Sequence, residues 1–287
     1  MKVAVLVLAN DEKCVCSRCQ GRSDLGNYIE MVKAVRETWA SVDVEGFDVY
    51  YIYGHRQGIT FPKNSKFINS NEIYWPVSKG DGGTGVQITK KRAPFAIKDC
   101  IYSDTPEGRE NLYYKTIDGF QWLLENTDFD YVLRCCNGTY LDLKLIKQFL
   151  SNIGVKDNIY AGSVASYPNN HANNTTSQPS NIPYASGSGF IASRNLIQNL
   201  VNNRNSIDVV RSRYASATIA DDPTFGHHFI NFCNVDRIYS WHKQEFSSPK
   251  EINSNVKNVM QCYFRHTIDP ELLRAVHNIK MLDGEHK

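Results

Sequence analysis

The sequence has no run of about 18 apolar residues, the length a membrane-spanning helix needs, so it offers no transmembrane segment. Its first apolar run, Val3 to Ala9, is cut short by Asn10-Asp11-Glu12-Lys13 without a small-residue cleavage pattern. It therefore reads as a strand and not a secretory leader, and the expected location is the cytoplasm. Charge of one sign is also scarce. Lys and Arg total 32 against 30 Asp and Glu, and the net +2 is too weak for a nucleic-acid field, though it allows a local basic pocket around phosphates. No internal repeat or low-complexity tail is found. The glycine-rich Lys79-Gly80-Asp81-Gly82-Gly83-Thr84-Gly85 has no Lys-Ser/Thr pair after it and no strand leading directly into it, which excludes a P-loop and leaves a mobile lid or a plain loop.

The eight cysteines, at 14, 16, 19, 100, 135, 136, 233 and 262, lack a matching Cys/His pair at finger-like spacing. In a cytoplasmic chain they are expected to be reduced thiols, and zinc at Cys14, Cys16 and Cys19 would need a fourth ligand. The sequons at Asn137, Asn173 and Asn174 stay silent outside a secretory lumen.

A hydrophobic content of 41% and an aromatic content of 11% over 287 residues can build one sizeable core. The order of elements is that of an α/β protein. Residues 2–9 form an almost wholly apolar, β-branched strand of the kind covered by helices on both faces. Residues 28–39 place Ile29, Val32, Val35 and Trp39 at helical spacing, and 47–53 return as a strand. Strands follow at 73–77, 129–133, 159–162 and 187–193, and helices at 111–125, 143–150, 195–201 and 223–232. Residues 167–183, rich in Asn, Ser, Pro and Thr, read as a surface excursion. Strand, helix, strand units imply parallel pairing and a ligand crevice at the strands' carboxyl ends.

Four separated segments resemble the β-1,3-galactosyltransferase and Fringe-like glycosyltransferases, which have the GT-A fold. Val35-Arg36-Glu37-Thr38-Trp39 is similar to the family's Ile-Arg-x-Thr-Trp, and Asn111-Leu112-Tyr113-Tyr114-Lys115-Thr116 with Trp122 to its Asn-Leu-Thr-x-Lys-Thr and following Trp. Tyr184-Ala185-Ser186-Gly187-Ser188-Gly189-Phe190-Ile191-Ala192-Ser193 resembles the Tyr-x-Ser-Gly-x-Gly stretch near the acceptor. Asp221-Asp222-Pro223-Thr224-Phe225-Gly226 resembles the family's acidic pair with its following Gly. The resemblance covers about two thirds of the chain. It implies one GT-A-like domain over 1–287 with a central, mostly parallel sheet: a Rossmann-like nucleotide-sugar half at 1–141 and an acceptor-binding, catalytic half at 142–287.

The chain departs from the family at its Asp-x-Asp, the carboxylates that hold a metal on the nucleotide diphosphate. Cys136-Asn137-Gly138 stands there, and Arg134-Cys135-Cys136-Asn137 is similar to the Arg-x-x-Asn of Asp-x-Asp-less relatives in bacteria and large DNA viruses. No cofactor is therefore expected, with a divalent metal such as Mn2+ as the disfavoured alternative. The diphosphate would instead meet Arg36, Lys115, Arg134, Asn137 and the C-terminal Arg265 and His266. Each lone cation also reads as a solvated charge.

By the resemblance Asp222 is the general base of an inverting displacement and Asp221 orients it, while Tyr184, Ser186, Gly187 and Gly189 face the acceptor. The competing reading of the acidic pair is an N-cap on the helix starting near Pro223. Asp142 reads as a cap for the helix at Leu143, with a poor lone metal ligand as its alternative, and His227 and His228 read as structural. The expected partners are a UDP-sugar of galactose, N-acetylglucosamine or xylose type and a glycan acceptor, with no nucleic acid. The alternatives are an inactive sugar-nucleotide or glycan-binding module on the same fold, and a nucleotidyltransferase, which would need paired carboxylates for two metals that the sequence does not show near its nucleotide end.

Overall fold

The computed structural model describes residues 1–10, 28–55, 61–66, 73–78, 84–89, 91–108, 111–154, 156–168, 181–204, 221–233, 235, 237–246, 248–264 and 269–281. The expectations placed on Cys14, Cys16, Cys19, residues 79–83, Asn173, Asn174, Arg265 and His266 lie outside the described residues.

The first strand, β1 (Val3–Leu8), is buried at all six positions, as a strand covered on both faces must be. Helix α1 (Tyr28–Glu37) lays Met31, Val32, Ala34 and Val35 on one face of the sheet. The chain returns as β2 (Phe47–His55), parallel to β1 with Val3 opposite Phe47. Strands β3 (Ile73–Ser78) and β4 (Thr84–Thr89) form a separate antiparallel pair, so Thr84 and Gly85, expected in a loop, are strand residues. Strands β5 (Phe95–Ile97) and β6 (Cys100–Pro106) follow, with β6 parallel to β2. Helix α2 (Leu112–Asn126) then crosses to β7 (Tyr131–Cys136), parallel to β1 on its other side.

The remainder runs β8 (Thr139–Leu141), α3 (Leu143–Ile153), β9 (Tyr160–Pro168), β10 (Asn181–Ser193), α4 (Arg194–Asn202) and α5 (Asp221–Phe232). It ends with β11 (Tyr239–Ser240), β12 (Lys243–Phe246), β13 (Gln261–Phe264) and α6 (Pro270–Met281). The main sheet has the order β11-β9-β10-β7-β1-β2-β6-β5, and β12-β13-β8 make a second, three-stranded sheet. Four of the seven pairings in the main sheet are parallel, the exceptions being β7 with β10, β10 with β9 and β6 with β5. This is the expected α/β architecture with a mostly parallel sheet. No helix among the described residues is long and apolar enough to cross a membrane.

Strand alternation divides the core in two. Val3, Val5, Val7, Tyr51, Leu133 and Cys135 pack with Val35, Trp39, Ile146 and Leu272 on one face. Ala4, Leu6, Ile52, Val132 and Phe190 pack with Ile117, Phe120, Leu196, Phe225 and Phe229 on the other. Trp39 Nε1–H donates to Thr139 O at 2.9 Å, so the tryptophan of the first family-like segment anchors the strand that follows Asn137.

Three boundaries differ from expectation in ways that matter for the site. Strand β7 continues through Cys136, which puts Arg134 inside a strand and not at its end. Residues 167–168 and 181–183, expected in the surface excursion, are paired strand, with Asn181 opposite Pro168 and Pro183 opposite Ser166. Helix α5 starts at Asp221, so the acidic pair forms its first turn.

Candidate active site

The site is built where β10 loses its regular pairing. Between Ala185 and Phe190 the register of β10 against β9 shifts, and the segment Ser186-Gly187-Ser188 turns its backbone groups away from that ladder. Gly187 N–H donates to Asp222 Oδ2 at 2.9 Å, and Gly187 O accepts from Arg134 Nη1 and from Cys136 Sγ, the latter at 3.1 Å. A Cβ at Gly187 would lie 2.9 Å from Arg134 Nη1 and 3.2 Å from both Cβ and Cγ of Asp222. Only glycine lets the strand come this close to the acid pair.

Helix α5 brings the acids to that strand. A Cβ at Gly226 would lie 2.4 Å from Tyr184 Cβ and 3.0 Å from Pro183 O, so the absence of a side chain sets the distance of the helix from β10. The ring of Phe225 packs 4.8 Å from Tyr113 and 5.5 Å from Phe190, which fixes the helix's rotation. Side-chain hydrogen bonds of the two carboxylates reach out to β7 and β10.

Arg134, 1% exposed, reaches from β7 to Asp221 Oδ2 through Nη2 and lies with its guanidinium 5.8 Å from the Phe190 ring. Burial works against its charge, yet the carboxylates of Asp221 and Asp222 raise its proton affinity. Asp222 is raised as well, which for a carboxylate works against its charge. Burial, then the charge of Asp221, push its pKa up to about 6, against the opposing pull of the Gly187 N–H and Arg134. A carboxylate in this state is ionised at neutral pH and a stronger base than one in water.

Lys115 is also brought near this locality. It is 2% exposed, donates to Ala9 O at 3.0 Å beyond the end of β1 and pairs with Glu107 Oε2 at 2.7 Å, while Glu107 Oε1 accepts from Gly54 N at 2.5 Å. The pair thus ties together the carboxyl ends of β1, β2 and β6, where an α/β sheet holds its ligand. Asn137 follows β7, is 9% exposed, and its Nδ2 has no acceptor among the described residues; neither has Arg134 Nε. Arg36 is not brought to the group. Its guanidinium stacks 3.8 Å from the Tyr51 ring and makes a two-pronged pair with Asp99, at 2.5 and 3.1 Å, on the opposite face of the sheet from Arg134. Strand alternation is the reason: Tyr51 and Arg134 point to different cores.

Of the acceptor-side expectations, Ser186, Gly187 and Gly189 line the bulge, while Tyr184 is half-buried under Gly226. Asp142 caps α3, its Oδ1 accepting from Leu145 N at 3.0 Å, and its Oδ2 pairs with Lys280 at 2.8 Å. His228 is wholly buried, its Nε2 lies 3.2 Å from Asn199 Oδ1, and burial lowers its pKa to about 4, as the structural reading expects.

Sequence reasoning missed a polar chain beside the bulge. Trp241 Nε1 donates to Gln261 Oε1 at 2.7 Å, Gln261 Nε2 donates to Ser188 Oγ at 2.8 Å, and Ser188 Oγ lies 3.0 Å from Ser186 Oγ. Lys243 Nζ reaches Ser186 Oγ at 3.3 Å. The available signal was Lys243-Gln244-Glu245-Phe246, a short run with one apolar end that pairs with a second short run at 261–264.

Among the described residues no group of three or more His, Cys, Asp or Glu is placed to hold a metal ion. The end of β7 and the residue after it offer the Cys136 thiol, whose proton affinity burial raises, and the amide of Asn137. This is not the carboxylate-rich set that Mg2+ or Mn2+ prefers.

Residues 85–213 match the family model described as Galactosyltransferase, a span that contains the Asn111, Arg134 and Tyr184 segments. No curated protein matches the chain. Among solved structures it is similar to a glycosyltransferase involved in the glycosylation of the major capsid of PBCV-1, at 10% identity over 98% of this chain and 100% of that one, with a TM-score of 0.42. It is also similar to the galactosyltransferase LgtC in complex with donor and acceptor sugar analogs, at 10% identity over 96% and 95% of the two chains and a TM-score of 0.44. HddC from Yersinia pseudotuberculosis is 8% identical over 84% and 90%, with a TM-score of 0.32. The span similar to the galactosyltransferase family carries β7 and β10, the strands that supply Arg134 and the bulge at Gly187.

Proposed function

We propose that the chain transfers a sugar from a UDP-sugar to a glycan hydroxyl with inversion at the anomeric carbon, that Asp222 is the general base, and that protein groups replace a metal at the diphosphate. The observation that carries this reading is the held state of Asp222. One carboxylate oxygen is bound by Gly187 N–H, and the group is half-buried, with a pKa raised to about 6.

In the step itself Asp222 takes the proton of the acceptor hydroxyl as the acceptor oxygen bonds to the anomeric carbon. The bond from that carbon to the diphosphate oxygen breaks, and its electron pair leaves on the nucleotide. Arg134 and Asp221 act through Asp222: the buried cation pairs with Asp221 beside the base, and the Asp221 charge raises the base's proton affinity.

The leaving diphosphate needs donors. Asn137 supports this part, because its Nδ2 is buried without an acceptor among the described residues, in the place where the resemblance puts the metal's carboxylates. An amide there binds a phosphate oxygen directly, whereas a carboxylate there would need a cation between them. Arg265 and His266 remain candidates for the same diphosphate, and Lys115 serves the crevice floor through Glu107 and Ala9. Ser186, Gly187 and Gly189 take the acceptor side, and Tyr184 positions α5.

The test is a panel of UDP-galactose, UDP-N-acetylglucosamine and UDP-xylose, assayed for hydrolysis and binding with and without EDTA. Turnover of one donor that persists in EDTA is expected. Binding of no nucleotide sugar contradicts the transferase reading, and turnover abolished by EDTA contradicts the metal-free part alone.

A further inference from the structure

Lys243 opens β12, and its ammonium lies between two oxygens: Ser186 Oγ at 3.3 Å and Glu245 Oε1 at 2.6 Å. The side chain is 13% exposed, and its Nζ sits 5.4 Å from the centroid of the half-buried Tyr263 ring. The second sheet brings these groups together. Parallel pairing sets Lys243 opposite Gln261 and Glu245 opposite Tyr263, and antiparallel pairing of β13 with β8 sets Tyr263 opposite Thr139. Phe264 N then donates to Gly138 O at 3.1 Å, so this sheet abuts the segment just beyond β7. From the other side Ser186 immediately precedes Gly187, whose N–H holds Asp222. The chain of bonds from Trp241 through Gln261 and Ser188 holds the bulge that carries Ser186 in place.

The chemistry of this cluster differs from that of a phosphate site. Lys243 is already compensated by Glu245, so together they offer hydrogen bonds in both directions and little net charge. A serine hydroxyl donates and accepts, and a tyrosine ring offers an apolar surface to C–H groups. A neutral pyranose presents hydroxyls of both senses and an apolar C–H face, and it fits this set, whereas a diphosphate calls for uncompensated cations.

We infer that Lys243, Ser186, Glu245 and Tyr263 form a subsite for a neutral pyranose of the acceptor, beside the base. This rests on the reading of Asp222 as the base, which puts the acceptor hydroxyl on the bulge side. Lys243 then determines acceptor affinity and does not contribute to donor affinity.

The experiment is a ligand-observed NMR titration of the wild-type protein, with UDP present, against the methyl glycosides of galactose, glucose, mannose and N-acetylglucosamine. UDP affinity is measured in parallel by calorimetry. At least one glycoside binds the wild type, and Lys243→Met weakens it about tenfold, the scale of one hydrogen bond to a charged group. Lys243→Arg lies between the two, and UDP binds all three proteins equally. Ser186→Ala, which removes a partner on β10 and leaves the strands of the β12–β13 sheet unaltered, weakens the same glycoside and guards against a Lys243 variant that does not fold. A fall in UDP affinity with glycoside binding retained would move Lys243 to the diphosphate and overturn the inference, as would a wild type that binds none of the glycosides. These titrations need no turnover, so their failure is separable from failure of the transferase reading.

Discussion

Gly187 binds Asp222 through its backbone N–H at 2.9 Å, and its missing side chain is what allows the contact. Gly187→Ala would place a methyl 2.9 Å from Arg134 Nη1 and 3.2 Å from the Asp222 carboxylate carbon. We expect loss of about 1–3 kcal/mol of stability, the scale of overpacking, and a fall in kcat at unchanged donor affinity. Urea titration and steady-state kinetics check both.

Arg134 and Asp221 form a buried pair whose halves depend on one another. Arg134→Met leaves Asp221 uncompensated and is expected to cost about 3–5 kcal/mol. The double variant Arg134→Met with Asp221→Asn removes both charges and should recover part of that loss without recovering activity. Thermal denaturation of the three variants, analysed as a double-mutant cycle, measures the coupling.

Asp222 makes stability and activity oppose one another. Its pKa in the fold, about 6, lies above the ordinary 3.8, so the folded chain holds this proton more tightly than the unfolded chain does. Its contribution to stability is present below about pH 4 and is lost as pH rises through about 6. Asp222→Asn cannot ionise. It should match the wild type near pH 4 and exceed it by about 1–3 kcal/mol at pH 8, the energy of a shift of this size. Chemical denaturation at the two pH values reads the difference.

Gly226 sets the spacing of α5. A methyl there would lie 2.4 Å from Tyr184 Cβ and 2.9 Å from its Cα, atoms of the backbone and its first branch that cannot swing aside. Gly226→Ala should lower stability by about 1–3 kcal/mol and displace both acids from Gly187. Activity should fall more than donor binding, which calorimetry with UDP and an assay together reveal.

The main sheet was legible because β1 is apolar throughout and the early helices carry clear spacing. Strand β6 was missed: its buried positions Ile101, Ser103 and Thr105 alternate correctly, but two of them are polar and hydrogen-bond to each other or to Asp118. The acidic pair and the glycines around it were legible from their order along the chain. Their partner was not, because strand register, and not sequence distance, puts Arg134 opposite Phe190 and within reach of Asp221. Arg36 shows the converse. Its motif was legible, but the face of the sheet it serves depends on which way Tyr51 points. Lys243 lies on a strand too short for a periodic signal.

The most direct test of the central claim is the pH dependence of sugar transfer by wild type and Asp222→Asn, with EDTA present and the UDP-sugar that the wild type uses. Wild-type kcat/KM should rise with pH through about 6 and then level, as Asp222 ionises. The variant should be at least about 100-fold slower, with that rise gone and donor affinity kept. A variant that turns over as fast as the wild type, with the same pH profile, would contradict the claim.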